Sequence, residues 1–444
     1  MHTDPIAARR TQAGAPVVHG INAALWAIES LLISGHVTHA VTGLEVRFQR
    51  YIYLDTEVIV RLTSESDTSL RAELLADGLV ATAVTLRFAT QQERTETFRS
   101  AEFTELPSAP RALDMADIKG RAGILPPPRN APSSLLFPHS ARFFGPDAVA
   151  EIAQLSPLVG MVCPGLYSIF SGLTIEFIEC GQAPGLSFKV RDVDERFRTT
   201  LLAISGRGIS GTLSVFARKP PPRQASLQDL QDVVRAGEFS RITALIIGGS
   251  RGLGSLTARI IVSGGGRVVI TYVVGEIEAR EMAEDIGSEY CSILRYDITA
   301  PAAEQLTNLQ WKITQLYYFA TPAIFRQNSR LYVSERFAEF CQFYVDGFER
   351  ICNALRARDA LPLTVFYPSS VAIDDRPKGM TEYSMSKAAG EILCEYINRS
   401  WHGMRVVVQR LPRILTDQTS TIIQVPTNDA VEVMLPIIRQ MYGE

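Results

Sequence analysis

Residues 244–265 read ALIIGGSRGLGSLTARIIVSGG, and the fold of the C-terminal half turns on them. A short apolar run is followed by the spaced glycines Gly248, Gly252 and Gly254, and then by a stretch with helical spacing. Glycines at a strand-to-helix turn let the backbone approach a pyrophosphate, whose charge then rests on the helix N-terminus. A glycine turn by itself is a weak signal, so its surroundings decide its weight. From residue 240 to 444 the apolar runs ITALIIGG, GRVVITYVV, SILRYDI, QLYYFATP, PLTVFYPSS and MRVVVQRLP alternate with helix-like stretches. Such alternation predicts an α/β Rossmann-type doubly wound parallel sheet, buried on both faces. The glycine turn occupies its first strand-to-helix junction.

A second element lies downstream, in SSVAIDDRPKGMTEYSMSKAAGE at 369–391. Tyr383 and Lys387 are four residues apart and share one face of a helix. An ammonium near a phenol lowers its pKa, which makes Tyr383 a proton donor near neutral pH. With the glycine turn, the Ser369–Ser370 pair at a strand end and this Tyr/Lys pair in order, residues 240–444 resemble the short-chain dehydrogenase/reductase family. Ile247 stands where that family usually has threonine, and Ser370, thirteen residues before Tyr383, has the spacing of its catalytic serine.

The resemblance implies roles. Tyr383 gives or takes the proton on a carbonyl oxygen, Ser370 hydrogen-bonds that oxygen, and Lys387 holds the nicotinamide ribose and tunes Tyr383. Gly248, Ser250, Arg251, Gly252, Leu253 and Gly254 would cradle the cofactor. Asp297 would meet its adenine, Pro412 would lie beside the nicotinamide, and Ile298 and Ala320 would also touch the cofactor. Arg413 stands where the family has a glycine, and three departures stand out: Ala320, Thr321 and Pro322 replace Asn-Ala-Gly, Tyr344 in YVDG replaces an asparagine, and the chain after Lys387 is short for a substrate-covering loop. The second strand ends on Thr271 and Tyr272, without the acid an NAD enzyme places there, and Arg251 is set to pair with a 2′-phosphate. NADPH is the expected cofactor.

The chain of 444 residues is long enough for two or three domains. Two proline clusters, LPPPRNAPSS and RKPPPRQAS, break helices and ladders and divide it into 1–125, 130–222 and 240–444. In the first segment HGINAALWAIESLL has helical spacing, and four strand-like runs follow; in the second, CPGLYSIFSG reads as a shorter helix before four more. That repetition predicts a duplicated α+β unit. With 44 basic and 47 acidic residues the net charge is -3 and no block of one sign appears, which argues against nucleic acid as a partner. Six scattered cysteines suggest reduced thiols, and neither they nor His36, His39, His139 and His402 have metal-ligand spacing. No apolar run reaches the length of a membrane span and no signal-peptide pattern opens the chain, so a cytoplasmic protein is expected.

The opening, MHTDPIAARRTQAGAPVVHG, is similar to the hot-dog fold of MaoC-like (R)-specific enoyl-thioester hydratases at His2, Asp4, Pro5, Gly14, His19 and Gly20. LEVRFQRYIYLDTEV continues the likeness, and LSPLVGMVCPGLYS resembles a second, degenerate hot dog, giving a double hot-dog N-terminal region. The resemblance implies His2 as a catalytic base. Its partner aspartate in that family would fall before Met1, so weak or lost hydration is expected. The two halves together imply a reductase of 3-oxoacyl thioesters, carried on coenzyme A or an acyl carrier protein, fused to a hydratase/dehydratase-type module in fatty-acid- or polyketide-like acyl metabolism. Assembly as a homo-oligomer is a further expectation. Two alternatives stay open: a monofunctional reductase on a hot-dog binding or dimerisation platform, and a non-catalytic scaffold.

Overall fold

The computed structural model describes residues 8, 13–88, 98, 102–128, 133–179, 183–220, 223–324, 331–359, 362–416 and 426–443. The chain forms two compact units, one built on Ala15–Pro220 and the other on Pro221–Ser420 with Val425–Glu444.

In the first unit a helix precedes four strands, twice. Helix Gly20–Ile33 buries Ile21, Ala24, Leu25, Ile28 and Leu31, the spacing of one helical face. It leads to β1 (Val41–Phe48), β2 (Val58–Glu65), β3 (Ser69–Ala76) and β4 (Leu79–Phe88). After β5 (Ala122–Leu125), helix Pro146–Pro157 leads to β6 (Ser168–Phe177), β7 (Leu186–Asp194), β8 (Thr199–Ser205) and β9 (Ile209–Ala217). All nine strands lie in one sheet, ordered β2-β3-β4-β1-β6-β9-β8-β7-β5. The second half therefore runs in the reverse order of the first, and the halves join where their equivalent strands β1 and β6 pair antiparallel from Gly43↔Glu176 to Arg47↔Gly172. Val17, ahead of the first helix, bridges Tyr53, much as β5, ahead of the second, pairs with β7. By that correspondence β5 belongs to the second repeat, although the boundary at 125 assigns it to the first. Ile28, Leu44 and Val46 share a single core with Ile152, Leu173 and Ile175, so segments 1–125 and 130–222 form one unit.

The expected helix at CPGLYSIFSG is not formed. Cys163 to Tyr167 make a turn in which Gly165 has φ +94 and would drive a Cβ to 2.2 Å from the Arg111 carbonyl oxygen, and β6 begins at Ser168. The helix lies upstream, where Pro146 at its first position fits the helical φ without losing a needed donor.

The second unit carries β10 (Thr243–Ile247), β11 (Arg267–Tyr272), β12 (Cys291–Arg295), β13 (Gln315–Tyr318), β14 (Leu363–Ser370) and β15 (Met404–Leu411). Each of the six apolar runs named above supplies one of them. They pair in parallel in the order β12-β11-β10-β13-β14-β15. Numbered within the unit this is 3-2-1-4-5-6, the Rossmann order, whose chain reversal falls between β10 and β13. Both faces are covered: Ala244 and Ile246 of β10 point into one core with helix Gly252–Ser263, and Leu245 and Ile247 into another with Phe348 and Cys394. A strand buried on both sides has no polar face, which is why these runs are continuously apolar. Among the described residues, no helix is long and apolar enough to cross a membrane.

Candidate active site

At the carboxyl end of β10 the chain turns at Gly248, whose φ of +77 suits glycine, and its amide donates to the Thr271 hydroxyl at 3.0 Å. Helix Gly252–Ser263 starts almost at once, with no acidic residue in its first turn. A Cβ on Gly254 would lie 2.3 Å from the Gly248 carbonyl oxygen, so the turn closes this tightly only with glycine there. The result is a cradle of backbone at a helix N-terminus, suited to an anionic group. It opens into a cavity of about 700 Å³ at the topological switch point. Ser250, Arg251, Gly252, Leu253, Asp297 and Ile298 line this cavity, as do Ala320 and Pro412 across from them. The Asp297 carboxylate accepts from the hydroxyl and amide of Thr299, at 2.7 and 2.9 Å, which hold it below the usual carboxylate range.

The same cavity is walled by Ser370, Tyr383 and Lys387. Ser370 ends β14, and Tyr383 and Lys387 sit one turn apart on helix Thr381–Ser400. The Ser370 hydroxyl, which accepts from the Ala372 amide at 3.2 Å, lies near enough to Tyr383 to pull its phenol down. Lys387 Nζ donates to the Pro368 carbonyl at 2.6 Å and is 6.0 Å from the Tyr383 ring centroid. Burial pushes Lys387 down to about 7, against the opposing pull of Cys394 and Glu391. One expectation needs correction: Tyr383 is not lowered by the lysine. Burial raises it, and only Ser370 acts the other way, while the ammonium is turned to Pro368. Tyr383 is therefore held as a neutral phenol, a donor.

Several residues around this set went unread in the sequence. The helix ahead of β14 opens into a π turn, Gln342–Asp346, whose loosened carbonyls find partners: Tyr318 donates to Phe343 O at 2.6 Å and Tyr367 to Tyr344 O at 3.1 Å. Gly390 is what lets Tyr367 reach across, since a Cβ there would be 1.9 Å from its hydroxyl oxygen. Tyr344 turns its hydroxyl to Thr321, 2.5 Å away. Behind Lys387, Glu391 accepts from Ser369 at 2.5 Å and from Arg410 at 2.8 and 2.6 Å, which keeps its carboxyl below the usual range. The one sequence signal for Glu391 was its place one turn beyond Lys387.

In the first unit His2, Asp4 and Pro5 lie outside the described residues. His19 precedes helix Gly20–Ile33 and its Nδ1 is 2.6 Å from Ser156 Oγ. Two buried carboxylates were missed. Glu29 accepts from the amides of His139 and Ser140, both at 2.8 Å, and from the Ser140 hydroxyl and the His139 ring. Glu151 accepts from the amides of Arg207 and Gly208, at 2.6 and 3.0 Å. Among the described residues, no group of three or more His, Cys, Asp or Glu side chains is placed to hold a metal ion.

No protein-family profile and no curated protein matches the chain. Solved structures do. An E. coli oxidoreductase, yciK, matches at 16% identity over 48% of this chain and 92% of its own, with a TM-score of 0.41. A short-chain dehydrogenase/reductase described as a glucose/ribitol dehydrogenase, from Brucella melitensis, matches at 16% identity over 40% and 79%, with a TM-score of 0.37. FolM alternative dihydrofolate reductase 1 from Brucella canis, complexed with NADP, matches at 14% identity over 38% and 73%, with a TM-score of 0.35. The strand order of the second unit, rather than these scores, defines it as Rossmann-type.

Proposed function

We propose that the second unit is an NADPH-dependent carbonyl reductase of the short-chain dehydrogenase/reductase type, acting on 3-oxoacyl thioesters. The observation that carries this is the meeting of Ser370, Tyr383 and Lys387 with the glycine cradle in one cavity. The tight Gly248–Gly254 approach fits a dinucleotide pyrophosphate, which the helix N-terminus at Gly252 would hold. When bound, the nicotinamide supplies hydride chemistry. Ser370 orients the carbonyl oxygen, Tyr383 gives it a proton, and the Lys387 charge favours the negative charge that gathers on that oxygen. Arg251 faces the cavity where β11 ends on Thr271 and Tyr272, and Glu276, the next acid along, is engaged by Arg280 at 2.5 Å. That charge pattern favours NADPH over NADH. Ile324, Phe343, Val371, Pro377 and Met380 give the cavity apolar walls that suit an acyl chain.

The first unit is read as a MaoC-like double hot dog that binds the thioester. Next to a reductase it would raise the effective concentration of the intermediate. One observation favours a non-catalytic platform: the buried carboxylates Glu29 and Glu151 are both committed to backbone amides. The test is twofold. Acetoacetyl-coenzyme A should be reduced with NADPH much faster than with NADH, and crotonyl-coenzyme A should be hydrated at least about 10²-fold more slowly than a complete acid–base site achieves. No ketone reduction with either cofactor would overturn the first reading. Brisk hydration that His2→Ala abolishes would overturn the platform.

A further inference from the structure

Lys387 stands in a box of aromatic rings. Its Nζ is 3.9 Å from the centroid of the Tyr344 ring and 5.0 Å from that of Tyr367, with the Pro368 carbonyl below it at 2.6 Å. A ring face within about 6 Å attracts an ammonium through its quadrupole, most strongly where water is excluded. The groups are deeply buried: Lys387 is 6% exposed, Tyr344 1% and Tyr367 0%. Tyr344 is also held by several neighbours. It lies on the π turn, its hydroxyl meets Thr321, its carbonyl accepts from Tyr367, and its ring stacks on Phe340 and stands edge-on to Tyr383 with centroids 5.7 Å apart. One side chain thus touches both the lysine and the tyrosine.

We propose that Tyr344 is the positioning residue for Lys387, its ring holding the ammonium by cation–π attraction at the place where the resembling family often carries an asparagine. The proposal rests on the reading of Tyr383 and Lys387 as the reacting pair. The ionisable groups that face Lys387 are Glu391 and Cys394 from its own helix, Tyr367 from β14, Tyr344 from the π turn, and Tyr383. Glu391 is committed to Arg410 and Ser369, so it does not fix the ammonium by direct contact. The rings and the Pro368 carbonyl do so.

The test reads the titration of Lys387 by side-chain NMR in lysine-labelled free protein, its signal assigned by loss in Lys387→Arg. Tyr344→Leu removes the attraction that favours the charged form, so the midpoint should fall by about one pH unit. Tyr344→Phe keeps the ring and should leave the midpoint in place while losing the Thr321 contact. If the leucine variant does not fold, trifluorophenylalanine at 344 keeps the shape and weakens the quadrupole, and the same fall is expected. An unchanged or raised midpoint in both ring-altered proteins would overturn the proposal, as would a fall in Tyr344→Phe as large as in Tyr344→Leu. Because no cofactor or substrate is present, this result can fail while the reductase reading stands, and the reverse.

Discussion

The antiparallel unit and the parallel unit bury ionisable side chains for opposite ends. In the first, Glu29 and Glu151 are turned inward onto backbone amides, where they hold a short helix and a hairpin turn in place. In the second, Tyr383 and Lys387 are as deeply buried, yet both line an open cavity beside a cradle made of backbone. Burial alone does not mark a working group. What separates the two is whether its polar atom ends on the fold's own amides or beside space a ligand can fill.

Substitutions can break that contrast. The largest effect is expected from Tyr383→Phe, which removes the donor hydroxyl and little else. Ketone reduction should fall by about 10²–10⁴-fold while NADPH still quenches the protein's fluorescence. Gly254→Ala comes next. Its new Cβ would meet the Gly248 carbonyl oxygen at 2.3 Å, and the displaced turn should cost about one to two decades of NADPH affinity in a fluorescence titration. Arg251→Ala should weaken NADPH by about one to two decades and leave NADH almost unchanged, since a guanidinium–phosphate pair contributes on the order of 1.5–3 kcal/mol.

The pH dependence sharpens the comparison from another side. Lys387 titrates near 7 in the folded protein, below its usual 10.5, because burial disfavours its charge. Between those values the unfolded chain binds the extra proton, so this residue makes the fold more stable as pH rises from about 7 toward about 10. A neutral Lys387→Met variant lacks that dependence. Its advantage in thermal midpoint over the wild type should shrink across the window. Reduction itself should decline through about pH 7 as the charge is lost, with Tyr383 still protonated.

Most of the parallel unit could be read from its sequence because its signals are local: apolar runs of strand length, glycines at one junction, and two residues a helical turn apart. The box around Lys387 could not. Tyr344 and Tyr367 reach it from a π turn and a strand far away in the chain, and nothing in YVDG announces a loosened helix. In the antiparallel unit the repeat of one helix and four strands was legible, but CPGLYSIFSG was not. Its apolar residues fit either period, and the glycine at 165, pressed against the Arg111 carbonyl, decides for a turn. Glu29 could not be picked out in the sequence because its partners, His139 and Ser140, come from another segment.

The smallest effects belong to those carboxylates. Burial raises Glu29, but its four hydrogen bonds outweigh that and hold it below the usual range; Glu151 is raised by burial, which its two amide bonds do not offset. At neutral pH Glu29→Gln should destabilise the first unit by about 1–3 kcal/mol in denaturant unfolding, and Glu151→Gln by less. Glu29 supports the fold only while ionised, so the Glu29→Gln difference should fade as pH drops below its ordinary 4.5. Ketone reduction should be unchanged in both.

The central claim is that this chain moves a hydride to a carbonyl carbon while Tyr383 protonates the oxygen. The most direct measurement uses NADPH deuterated at the transferable position with acetoacetyl-coenzyme A, and reads the product by mass spectrometry. The account predicts 3-hydroxybutyryl-coenzyme A carrying one deuterium from the wild type, and almost none in the same time from Tyr383→Phe. Deuterated product formed equally fast by both proteins would contradict the role of Tyr383, and no deuterated product from the wild type would contradict the reductase itself.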